Sequence, residues 1–261
     1  MNIRKSTLAG YWYPSDKKSL KRKIKSFLDE DMVKSDRELK ALIVPHAGYK
    51  YSGAVAGVGY SYLKKCYKKV FIFGTSHNKS YSGMSIPSFS HYRTPLGDVP
   101  LNEESKVMQN NHELIKSLNE AHISEHSIEI QLPFLTYIFN KFDCDFSIIP
   151  LLFGLVNPEI SSKIINNYIL NDSLIIVSAD LSHFLSNSDA TKKDKSTINS
   201  ILNLKEVIKE NSTCNPYGVN TVINIAKKNG WEPKLLEYKN SSDFTNDYSR
   251  VVGYASIGFF N

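Results

Sequence analysis

Cysteine is scarce in this 261-residue chain, and long apolar runs are missing. The three cysteines, Cys66, Cys144 and Cys214, are 78 and 70 residues apart, with no Cys-x-x-Cys pair. Such spacing offers neither a disulfide scaffold nor a thiolate zinc site, so buried or incidental thiols are expected. No stretch approaches the roughly 20 apolar residues of a membrane span. The amino-terminal segment MNIRKSTLAGYWYP is charged and lacks the apolar core of a leader peptide. These absences predict a reduced, cytoplasmic protein without a membrane partner. A Walker lysine, a G-x-G-x-x-G turn and a G-x-S-x-G elbow are also lacking, which argues against a phosphate cradle or an α/β-hydrolase nucleophile.

Charge is present but modest. Lys plus Arg exceed Asp plus Glu by 32 to 26, a net +6. Much of the excess sits in Lys17–Lys25, Lys64–Lys69 and Lys192–Lys195, runs of the kind that form solvated helix faces and turns. With no nucleic-acid-binding signature beside them, nucleic acid is not an expected partner.

Short apolar runs recur at Ala41–Pro45, Val70–Phe73, Phe146–Phe153, Leu174–Val177 and Val251–Phe260. Continuous runs of this length fit strands buried on both faces. Helix signals alternate with them. Asp16 is placed to cap a helix over 17–28, and Asn157-Pro158 and Asn215-Pro216 each set a cap residue before a first-turn proline. Gly230 follows Lys227-Lys228-Asn229 as a stop. Residues 85–101, with three prolines and Gly97-Asp98, read as a hairpin-like excursion. The pattern predicts one α/β domain over 1–261, a central, mostly parallel (mixed) sheet covered by helices on both sides.

Polar residues follow the apolar runs. His46 follows 41–45, His77 follows 70–73, Asp180 and then His183 follow 174–177, and Asp243 follows the weaker run 234–238. Ligand sites in open α/β sheets form outside the carboxyl ends of strands, so these residues are expected to converge. Two histidines and a carboxylate make a facial triad suited to non-haem Fe(II), with zinc as the alternative metal. His46, His77 and Asp243 are the expected metal ligands. His183 is the expected acid/base, and Asp180 orients a ligand or that base.

His122–His126 spells HISEH, a formal match to a zinc-protease pattern. Ser124 reads as the cap of a helix over 125–139, which would leave His122 outside it. The roles of His122, His126 and Glu129 stay open between a pocket and a structural part. Trp12, Tyr13, Tyr49 and Tyr51 read first as packing residues and second as a binding surface for a planar group.

The segments RKSTLAGYWYP (4–14), IVPHAGYKYSG (43–53), FGTSH (73–77), TPLGDVPL (94–101), EHSIEIQLPFL (125–135), SADLSH (178–183), NPYGV (215–219) and NSSDFTNDYSRVVGYAS (240–256) run in order along the chain. In these motifs it resembles the Memo family, protein B of a group named with AMMECR-type and radical-SAM partners. The resemblance implies a three-layer α/β/α sandwich similar to class III extradiol dioxygenases, and a functional link to those partners. It implies metal ligands at His46, His77 and Asp243, with His183 at the place of the dioxygenases' base and Asp180 in the same pocket motif. Animal members carry cysteine where this chain has Asp243, and the carboxylate shifts preference from Cu toward Fe(II), Mn or Zn. Two functions follow as expectations. One is a metal-dependent oxidoreductase acting on a small substrate. The other is a non-catalytic adaptor that binds a phosphopeptide or protein.

Overall fold

The computed structural model describes residues 2–28, 37–207 and 211–261. Strand β1 (Ile3–Arg4) and helix α1 (Lys17–Lys25) precede β2 (Leu39–Val44), α2 (Tyr49–Tyr60) and β3 (Lys69–Thr75). Then come β4 (Met84–Ser85), β5 (His91–Thr94), β6 (Gly97–Pro100), α3 (Glu104–Asn111), β7 (Ile115–Lys116) and α4 (Asn119–His122). The middle of the chain forms α5 (Leu132–Lys141), β8 (Ser147–Phe153), α6 (Pro158–Asn166), β9 (Ser173–Ser178) and β10 (His183–Leu185). The remainder forms α7 (Asn187–Leu202), α8 (Pro216–Asn229), β11 (Glu232–Asn240), α9 (Ser242–Thr245) and β12 (Val251–Phe260).

Among the described residues the main sheet is nine-stranded and mixed, in the order β10-β12-β2-β9-β3-β8-β4-β7, with β11 also on β12. Its centre, β2, β9, β3 and β8, is parallel. The flanking β12 and β4 run antiparallel to it. Alternate residues of each central strand enter opposite layers. Leu42, Val44, Val70, Ile72, Leu174 and Ile176 pack with α1, α2 and α5 through residues such as Ile24, Tyr60 and Phe134. Ala41, Ile43, Phe71, Phe73, Ile175 and Val177 pack on the other side with Ile165 of α6, Ile198 of α7 and Val222 of α8. The result is a three-layer α/β/α fold. The excursion after β4 is a hairpin of β5 and β6, which joins β1 in a separate three-stranded sheet.

Local chemistry sets the helix ends. The Asp16 carboxylate accepts from the Ser19 amide at 2.8 Å, Asn157 accepts from Glu159 at 2.8 Å, and Asn215 accepts from Gly218 at 3.0 Å. Gly230 ends α8 at φ 68°, a left-handed position that costs glycine little. Among the described residues, no helix is long and apolar enough to cross a membrane.

Two expectations are corrected. Ser124 caps no helix: residues 125–126 are irregular, 127–128 form a turn, a short 3-10 segment follows at Glu129–Gln131, and the α-helix begins at Leu132. Pro133 in its first turn supplies a preset φ there. Nor are Cys66 and Cys144 separate thiols, because they are joined in a disulfide. The register explains it. Lys69 of β3 pairs with Ser147 of β8, and each cysteine stands three residues before its strand, so parallel pairing brings the two side by side.

Candidate functional site

The carboxyl ends of β2, β3 and β9 open onto a cavity of about 550 Å³. His46, His77, His126, Asp180 and His183 line it, with Trp12, Tyr51 and Tyr254 among the surrounding aromatics. Three imidazoles lie at its base. One nitrogen each from His46, His77 and His126 falls within 4.8 Å of the others. The His77 and His126 rings stack at 4.3 Å, and His46 stands edge-on to both at 5.2 and 5.0 Å.

Each ring is held from behind. His46, two residues past β2 and 2% exposed, meets Ser178 Oγ through Nδ1 at 3.1 Å. Gln131 Nε2 donates to the same hydroxyl at 2.8 Å. The His46 amide donates to Asp180 Oδ1 at 2.7 Å. Glu125 serves both other rings. It lies 2.9 Å from His77 Nδ1 and 3.3 Å from His126 Nδ1, and accepts the amides of His77, His126 and Ser127 at 2.8 to 2.9 Å. A metal-binding imidazole generally needs such a partner to fix its tautomer and orientation.

Electrostatics keep these groups in ligand-ready states. Burial, then the neighbouring rings of His126 and His77, hold His46 well below the usual imidazole value. Burial also brings His126 down to about 4, against the pull of Glu125 and with the help of His77. At neutral pH these two rings are neutral and carry a lone pair. Burial alone would raise Glu125, but its hydrogen bonds from His77 and the nearby imidazoles of His77 and His126 outweigh it and bring the carboxyl to about 2. Asp180 is pushed up to about 7 by burial, against the His46 amide. His183 donates from Nδ1 to the Leu181 carbonyl at 2.9 Å, which leaves Nε2 as its acceptor nitrogen. Burial lowers its pKa.

Four of the residues singled out in the sequence therefore meet at one cavity: His46, His77, Asp180 and His183. Asp243 is not brought to them. It is exposed on α9, its Oδ2 accepts the Asn240 amide at 2.8 Å, and it does not line the cavity. The third nitrogen beside His46 and His77 belongs to His126, from the turn before α5. Its sequence signal was the Glu125-His126 pair inside HISEH, a carboxylate and an imidazole on adjacent residues. His122 points elsewhere. It is buried between Tyr92 OH at 2.8 Å and Ser85 Oγ at 3.2 Å, and burial lowers it to about 3. Glu129 also turns away, into a network with the amino-terminal arm. Of the four aromatics, Trp12 and Tyr51 line the cavity, whereas Tyr13 and Tyr49 are buried in the core.

Sheet and site together define an α/β protein with a histidine cluster at the carboxyl edge of its central strands. Comparison supplies the family. The Memo-like protein family matches residues 4–258, and the chain belongs to it. It is 35% identical over 269 residues to a MEMO1 family protein of Thermoplasma volcanium, covering 98% of this chain and 97% of that one. A MEMO1 family protein of Desulfurococcus amylolyticus is 33% identical over 285 residues, with both chains covered in full. Among solved structures, an uncharacterized protein, JW3007, of Escherichia coli K12 shares the fold at TM-score 0.51. It is 9% identical, and the match covers 85% of this chain and 99% of that one.

Proposed function

We propose that the strand-end cavity holds a divalent transition metal on His46, His77 and His126, and that the protein acts as a metal-dependent oxidoreductase on a small molecule. One observation carries this reading: three imidazole nitrogens within 4.8 Å of one another, with the His46 and His77 rings hydrogen-bonded to Ser178 and Glu125 and the His126 ring 3.3 Å from the same Glu125 carboxylate. Neutral imidazole suits Fe, Zn, Cu and Ni. Fe(II) is the metal we favour, and bound there it would supply Lewis-acid and one-electron chemistry.

The chain's own residues supply the rest. Glu125 keeps two imidazoles oriented, and Ser178 keeps the third. His183, with Nε2 left as an acceptor, is the group to take a proton from a ligand in the cavity. Asp180 fixes the backbone at His46 through its amide. Trp12, whose ring lies 4.7 Å from that of His126, shields one side of the cluster from water.

Metal analysis of protein purified without oxygen tests the reading. Wild type and Asp243→Ala are expected to carry about one metal per chain, and His46→Ala and His126→Ala to lose it. A wild type without metal, or a His126→Ala variant that keeps it, sinks the assignment.

A second reading, a binding module that works without catalysis, draws on the rim. Tyr11 is 88% exposed beside Trp12, Lys50 and Tyr51. An adaptor would bind a phosphotyrosine peptide equally well with metal stripped and His183 replaced, which titration of that peptide measures.

A further inference from the structure

Cys214 lies in the loop before α8, and its sulfur stands 3.2 Å from Nε2 of His46. The other ring nitrogen, Nδ1, is engaged by Ser178 Oγ, so Nε2 is the one left for a ligand. We propose that Cys214 sets the metal affinity of the cavity from outside the ligand set, its thiol holding the His46 Nε2 lone pair until a metal takes it. The inference rests on the metal-holding reading above.

Two observations keep the sulfur from being a ligand itself. First, among the described residues, the donors that converge within 4.8 Å are the three imidazoles alone. Second, the sulfur is clamped to the backbone of Asp180. The Asp180 amide donates to Sγ at 3.2 Å, while the Cys214 amide and Thr213 Oγ1 donate back to the Asp180 carbonyl at 3.2 and 2.7 Å. With its loop tied to Asp180 in both directions and its sulfur accepting the Asp180 amide, the thiol is poorly placed to swing into the cluster.

Competition follows from the size of one lone pair. A metal–imidazole bond is about 2.0–2.1 Å long and uses the same electron pair that accepts the S–H hydrogen bond. Both cannot hold it at once. The thiol keeps its proton throughout; only its hydrogen bond to His46 is given up. Glu125, by contrast, holds His77 and His126 through Nδ1 and has no such conflict.

Zinc titration of the full chain against a chromophoric chelator, with cobalt(II) absorption in parallel, tests this. Cys214→Ala is expected to bind zinc about fivefold more tightly, the scale of one weak hydrogen bond. Cys214→Ser, whose hydroxyl can still donate to His46, is expected to stay within about twofold of the wild type. The cobalt-loaded wild type is expected to show no sulfur-to-metal charge-transfer band in the near ultraviolet. Weaker binding by Cys214→Ala together with such a band in the wild type would make the sulfur a ligand and overturn the proposal. Equal zinc affinity in all three proteins overturns it too, yet leaves the metal reading standing. If the wild type binds neither zinc nor cobalt, both readings fall.

Discussion

Glu125 and Glu129 sit one helical turn apart in sequence, both essentially buried, and they serve opposite ends. Glu129 accepts from Arg4 Nη1, Ser6 Oγ, the Thr7 amide and hydroxyl, the Leu8 amide and Tyr13 OH. Each of these donors belongs to the amino-terminal arm, and Arg4 also donates to the Glu125 and His122 carbonyls at 2.8 and 2.9 Å. Glu125 lies against two imidazoles that line a cavity and each offer a nitrogen to the histidine cluster. A saturated buried carboxylate locks one segment to another, whereas one that orients rings with lone pairs to spare supports a site. Carboxylate burial alone does not tell the two apart. The partners' unused valences do.

The largest effect is expected from removing the Glu129 carboxylate. Glu129→Ala leaves the buried Arg4 guanidinium without its carboxylate partner, so chemical denaturation should report a loss of about 3–5 kcal/mol. Metal content of the folded fraction should not change. Glu125→Gln should invert that profile, with metal affinity falling about 10- to 100-fold by competitive titration. If Glu129→Ala removes metal as efficiently as Glu125→Gln, the two carboxylates are one network and the distinction fails.

Acid should separate the regions by pH window in metal-free protein. His126 is lowered on folding from 6.5 to about 4, so below 6.5 the unfolded chain takes up its proton first. Stability from the imidazole side therefore falls as pH drops from 6.5 toward 4. Burial would raise Glu129, but Arg4 and the Ser6 and Tyr13 hydroxyls outweigh it, and its pKa lies below 4.5. Its contribution is fully present above 4.5 and is lost as pH falls further. Denaturant midpoints measured between pH 7 and 3 should show His126→Gln flattening the upper part of the decline and Glu129→Gln the lower part. The smallest effect is expected at Asp243. Asp243→Ala removes one partly buried hydrogen bond from the Asn240 amide and should cost within about 1 kcal/mol, read by the same denaturation.

Much of the frame could be read before any coordinates. The strand runs announced themselves because parallel strands buried on both faces are continuously apolar, and Asp16, Asn157, Asn215 and Gly230 sit at the helix ends they predict. His46, His77, Asp180 and His183 followed from one topological rule, that strand exits share an edge. The same rule misplaced Asp243. β11 is antiparallel to β12, which is antiparallel to β2, so β11 does deliver residue 240 to that edge. The side chain's direction was then decided by α9, which buries Ser242 and turns Asp243 outward. His126 escaped the rule because it leaves no strand. Its position depends on the turn that Glu125 builds by accepting the amides of His126 and Ser127. The Cys66–Cys144 pairing required the β3–β8 register, a long-range fact that spacing along the chain does not carry.

That bond has a topological consequence. It closes residues 66–144 into a covalent ring, and His77, Glu125, His126 and Glu129 all ride on it. His46, Asp180, His183 and Cys214 lie on the two tails. The cavity is thus assembled where a closed loop of chain meets its own free arms. A protease that cuts once inside the ring leaves a single covalent molecule, still carrying every side chain of the cluster, whereas the same cut in either tail releases a fragment.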